Sequence, residues 1–117
     1  MSIQSRIKQE KACSVIQLTE VEKDLYTGCG WKLARFENGA LVALFDPLDT
    51  VEYREDMQGM ADEALQNATA WLANAEGEVW LVMCSCYELC EPRRITLTDV
   101  GALAKLARAI GEAVRDV

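Results

Sequence analysis

The strongest signal in the pattern of apolar and polar positions lies between Trp31 and Phe45, where the largely apolar runs WKLARFE and ALVALF flank the polar pair Asn38-Gly39. An Asn-Gly connection favours a type I′ turn, which needs positive φ at both central residues, so the segment predicts a β-hairpin. The turn sets Glu37 opposite Ala40, Arg35 opposite Val42 and Leu33 opposite Leu44. One face then carries Leu33, Val42 and Leu44, and the other carries Ala34, Phe36, Leu41, Ala43 and Phe45. Both faces are largely apolar, so both are expected to meet another surface. Asp46-Pro47-Leu48-Asp49 reads as a turn. Val51 and Tyr53 then alternate with Glu52 and Arg54, which predicts a third strand in a meander.

Helical spacing follows. Met57, Met60, Ala61, Ala64, Leu65, Ala68, Trp71, Leu72 and Ala75 form one stripe, predicting a helix over 57–76 with Asp56 as N-cap and Gly77 as its stop. VWLVMCSCY predicts a strand over 78–89. Pro92 interrupts pairing, and RRITL (93–97) reads as a further strand. Thr98 caps a predicted final helix whose buried stripe is Val100, Leu103, Ala107, Ile110, Val114 and Val117. At the other end, residues 3–25 read as helix, with strand as the alternative over 12–18, and Tyr26–Gly30 as a turn. Residues 1–11 are polar enough to form a mobile N-terminal segment instead. The expected order is α-βββ-α-ββ-α in one α+β domain over 1–117, an antiparallel sheet packed by helices.

Charge narrows the partners. The net charge is −7, and from Glu55 to Pro92 there is no Lys or Arg. Phosphate-binding surfaces need clustered cations, so nucleic acid is not expected, and anionic membrane is disfavoured for the same reason. A protein with a basic or apolar surface is compatible. The polar N-terminus lacks a secretory apolar core, and the five cysteines are an odd number. Reduced thiols in the cytoplasm are the expectation.

The chain contains no histidine, which removes Ser-His and Cys-His dyads. No Gly-rich phosphate loop follows a strand. The sharpest local feature is Cys84-Ser85-Cys86-Tyr87-Glu88-Leu89-Cys90. On an extended strand Cys84 and Cys86 share a face, with Cys90 as a third candidate and Cys13 or Cys29 as a fourth, for a tetrahedral thiolate metal site or a redox site. The competing reading is three small apolar core residues. No catalytic set and no cofactor are expected. Trp31, Phe36, Tyr53, Trp80 and Tyr87 are the aromatic candidates for partner binding.

The element order resembles that of the class I chaperones of bacterial type III secretion, which are likewise small, acidic and cytosolic. The resemblance implies a homodimer that escorts an effector. The scarcity of apolar residues over 2–11 departs from the amphipathic first helix of such chaperones. The expected function is therefore a non-enzymatic protein-binding module that regulates, inhibits or escorts a partner stoichiometrically. The alternatives are a phage- or mobile-element-type inhibitor (anti-defence, antiactivator or immunity protein) and a cysteine-dependent metal or redox protein.

Overall fold

Six antiparallel strands in the order β1-β2-β6-β5-β3-β4 form the centre of the computed structural model, which describes residues 2–10, 12–96 and 106–112. The strands are β1 (Lys8–Glu10), β2 (Cys13–Gln17), β3 (Gly30–Glu37), β4 (Ala40–Phe45), β5 (Glu78–Ser85) and β6 (Glu88–Arg94). The helices are α1 (Ile3–Arg6), α2 (Glu20–Lys23) and α3 (Met57–Asn74), with further helical backbone over 106–112. The α+β class expected from the sequence holds, including hairpin, long helix, hairpin and terminal helix in that order.

Each sheet face has its own core. Leu33, Val79 and Leu81 on one face pack against Met60, Ala64, Ala68 and Leu72 of α3 and against Leu106, Ala109 and Ile110. Ala64 and Ala68 are fully buried between α3 and the sheet, and Phe45 stacks on Trp71 with centroids 5.1 Å apart. On the opposite face Ala34, Phe36, Trp80, Val82, Cys84 and Leu89 pack against Ile3 and Leu18, with Leu25 and Tyr26 at the margin. Ile3, Ile7, Leu18, Leu25 and Tyr26 thus cover the face that α3 leaves open. Each apolar hairpin face, expected from the sequence to meet another surface, meets one within the same chain.

A buried ion pair fixes this cover. The Arg6 guanidinium donates to both Glu22 carboxylate oxygens, at 2.7 and 2.6 Å, and to the carbonyls of Gly39 and Gln17. Glu22 also accepts from the Leu41 N–H at 2.7 Å and closes a capping box with Thr19 at the start of α2. Burial alone would raise the Glu22 pKa. The Arg6 hydrogen bonds, the Thr19 and Leu41 amides and the Arg6 charge overcome that and hold it at about 2.

Several local expectations need correction. The 3–25 region is not one helix, because Val15 and Ile16 pair with Cys90 and Leu89 of β6, and tertiary pairing overrides local preference. The β3–β4 register slips by one residue at a bulge beside Val42, so Ala34 faces Leu44 and Leu33 faces Phe45. Val51–Arg54 form no strand. The Asp49 and Val51 amides close turns onto Asp46 and Leu48, and Asn67 of α3 donates to the Pro47 carbonyl and Thr50 hydroxyl, holding the loop against the helix. β5 ends at Ser85, and β6 runs through Pro92. The proline lies in a bulge between the Leu81–Arg93 and Met83–Cys90 pairs, where its missing N–H costs no regular ladder bond. In the helical turns at 106–112, Leu106 and Ala109 are buried beside Ile110, whereas Ala107 is exposed. Thr98, Val100, Leu103, Val114 and Val117 lie outside the described residues.

Candidate functional site

The structure divides the five aromatic candidates. Phe36 and Trp80 are 1% and 6% exposed, sealed in the cluster with Ile3 and Leu18, so neither is a surface anchor in the intact fold. Trp80 lies on β5, a central strand between β6 and β3. Trp31 is half-buried on the α3 side and lines a cleft with Arg93, Arg108 and Glu112. Tyr53 and Tyr87 are 73% and 52% exposed. They stand in different places, Tyr53 in the acidic loop after β4 and Tyr87 in the β5–β6 turn.

The cysteine string also divides. Cys84 is buried on the Trp80 face, and burial pushes its thiol up to about 12. Cys86 is an exposed turn residue. Cys90 pairs with Met83 and Val15 on the opposite face, where burial first and then Glu88 raise its pKa. The reversal at Cys86-Tyr87 separates three thiols that a continuous strand would have aligned, and no metal-holding group of three ligands occurs among the described residues.

Two arrangements carry more than the sequence indicated. The first is the β4 edge. The sheet ends on one side with β1, whose Lys8, Gln9 and Glu10 are all exposed, and on the other with β4, ALVALF, which holds no charge and no proline. Charge, brevity and bulges are the usual protection of an edge strand, and of these β4 has only the bulge at Val42. Glu22 occupies the Leu41 N–H at its start. Beyond that point Val42, Ala43, Leu44 and Phe45 are half-buried with no strand on their outer side among the described residues. The loop that follows carries exposed Asp49, Glu52, Glu55 and Asp56 around Tyr53.

The second is a thiol–tyrosine cluster at the end of β3 and β5. Gly30 pairs with Cys84, so Cys29 lies just past the last pair, beside the Cys86-Tyr87 turn. The Tyr26 hydroxyl is 3.6 Å from the Cys29 sulfur, and the Tyr26 and Tyr87 rings meet at 4.7 Å. Lys23 reaches to 5.9 Å above the Tyr87 ring. The buried Lys32 is bonded to Asp46 at 2.7 Å. The Tyr26 hydrogen bond, then the Cys86 amide, then the Lys32 charge lower the Cys29 pKa. Burial and the contact with Cys29 raise that of Tyr26. The sequence groups Cys29 with this cysteine string only as an alternative to Cys13 for a fourth thiolate, and the Gly28-Cys29-Gly30 bracket is its one local signal.

No family model, curated protein or solved structure matches the chain. The likeness to secretion chaperones therefore stands on element order alone. No helix among the described residues is long and apolar enough to cross a membrane.

Proposed function

We propose that the chain is a non-enzymatic protein-binding module that takes up an extended segment of a partner along β4. Binding would be stoichiometric and cytoplasmic, and would escort or silence the partner. The observation that carries this reading is the uncharged six-residue edge at Ala40–Phe45, set against the charged three-residue edge at Lys8–Glu10. Strand addition supplies main-chain hydrogen bonds for affinity and side-chain pockets for specificity. The acidic loop beyond Phe45 gives the partner its sign, since a basic segment would be drawn to Asp49, Glu52 and Glu55, with Tyr53 as an exposed aromatic contact. A second copy of the chain, the homodimer expected from the sequence, is the competing occupant of the same edge.

The test uses extended peptides that alternate apolar residues with lysine, titrated into labelled protein. Amide shifts concentrated at Val42–Phe45 support the reading. Val42→Lys blunts the edge at a residue that belongs to neither core, and it should abolish those shifts while thermal stability is kept. Shifts scattered over the surface, or unchanged by Val42→Lys, would remove the edge from the argument. Light scattering that shows a dimer lost in Val42→Lys would assign the edge to self-association.

A further inference from the structure

We propose that Cys29 and Cys86 form a redox site, in which Cys29 attacks a low-molecular-weight disulfide of the glutathione class and Cys86 resolves the adduct into an internal disulfide. The proposal goes beyond partner binding and does not depend on it. Both thiols are exposed, so a small disulfide can reach them. They come from segments far apart in sequence, which the β3–β5 pairing brings side by side past the Gly30–Cys84 pair. The Tyr26 hydroxyl, 3.6 Å from the Cys29 sulfur, is placed to donate to the thiolate that must attack. The Cys86 amide and Lys32 favour the same thiolate.

The turn supplies an independent observation. Cys86 and Tyr87 both have positive φ, at 50° and 63°. Such conformations are uncommon for non-glycine residues, and strain of this kind concentrates at functional sites. Neither residue is suited to the turn, yet the Tyr87 ring lies on Tyr26 and the Cys86 amide bonds the Cys29 sulfur.

The chemistry balances in two exchanges. The Cys29 thiolate forms a bond to one sulfur of the glutathione disulfide, and the other sulfur leaves as a thiolate. The Cys86 thiolate then attacks the Cys29 sulfur and expels the second glutathione thiolate. The protein loses two electrons and two protons, and one disulfide becomes two thiols. The product joins the loop before β3 to the β5–β6 turn beneath the two tyrosines.

The experiment exposes the full chain to glutathione disulfide at neutral pH, followed by intact mass and peptide mapping. The expected product is two hydrogens lighter, linked Cys29 to Cys86, and reversed by dithiothreitol. In Cys86→Ser the adduct should stop at Cys29 as a stable mixed disulfide, formed about fivefold faster than at the exposed Cys13. Tyr26→Phe, which removes the hydroxyl and keeps the ring, should erase most of that advantage. Adducts spread evenly over Cys13, Cys29 and Cys86 with no internal bond would overturn the proposal, as would a bond formed between other pairs. Circular dichroism of each variant separates loss of chemistry from loss of fold.

Discussion

Two hairpins in this sheet close with the same turn geometry and with opposite turn chemistry. In β3–β4 the central residues are Asn38 and Gly39, with φ of 51° and 80°. In β5–β6 they are Cys86 and Tyr87, with φ of 50° and 63°. The first pair adopts positive φ readily, so its turn is locally encoded. The second pair resists it, so its turn is imposed from outside. Pairing of Leu89 with both Ile16 and Cys84, and of Gly30 with Cys84, fixes the strands on either side, and Tyr87 is held against Tyr26. Local preference and global structure agree in one hairpin and conflict in the other. Such conflicts are expected where a site is built, and the conflict here coincides with the thiol cluster.

The largest test concerns what else supports the encoded hairpin. Arg6 bonds the Gly39 carbonyl and Glu22 the Leu41 amide, so the ion pair clamps this turn to α1 and α2. Glu22→Ala leaves a buried guanidinium and an amide without their acceptor, and should cost about 3–5 kcal/mol in urea unfolding. A loss below about 1 kcal/mol would show that the Asn-Gly turn holds without the clamp. Acid provides a related test. Glu22 protonates near 2 when folded and near 4.5 when free. Its contribution of about 3 kcal/mol is complete above about pH 4.5 and is lost as pH falls through about 2. Glu22→Gln should flatten that part of the stability profile. An unchanged acid limb in the variant would show that other carboxylates control it.

Exchanging turn residues addresses the comparison directly. Gly39→Tyr gives the first hairpin the residue that the second tolerates, and should destabilise by about 1–2 kcal/mol. A neutral result would mean that tyrosine at this position carries no strain, and the contrast between the hairpins would disappear. In the other direction, Cys86→Asn installs a residue that tolerates positive φ. Under reducing conditions it should stabilise by about 0.5–1 kcal/mol, read as a shift in unfolding midpoint. Destabilisation would instead show that the Cys86 thiol already contributes to the reduced fold.

The same contrast explains what could be read from the chain in advance. Asn38-Gly39, the Asp56 cap and the apolar stripe from Met60 to Leu72 are local signals, and each element they announce is present; Asp56 accepts from the Gly59 amide at 3.0 Å. The β3–β4 bulge and the Cys86-Tyr87 reversal depend on partners distant in sequence, and no local pattern marks them. The strand at Cys13–Gln17 is legible as the alternative to helix over 12–18 and is decided by pairing with β6. For the site, spacing alone placed Cys84, Cys86 and Cys90 together, because a period of two assumes an uninterrupted strand. Once the chain reverses after Ser85, the Cys86 amide comes against the Cys29 sulfur. Of the aromatic candidates, Tyr53 and Tyr87 reach the surface, and burial of Phe36 and Trp80 follows from a wrap that the polar residues 2–11 gave little reason to expect.

The smallest expected effect is the most diagnostic. Tyr87→Gly removes the strained φ of that position, a gain of about 1 kcal/mol. It also removes the ring contact with Tyr26 and the Lys23 ammonium above it, a loss of about 1 kcal/mol. The two should nearly cancel, and unfolding should scarcely change. In a Tyr26→Ala background the ring partner is already gone, so most of that loss cannot recur and Tyr87→Gly should stabilise by about 1 kcal/mol. The difference between the two backgrounds measures the tyrosine pair, and the second value measures the strain. A neutral result in both backgrounds would mean that neither term is present. The Cys86-Tyr87 turn would then be an unstrained reversal, leaving the thiol contacts of Cys29 as the support for the redox site.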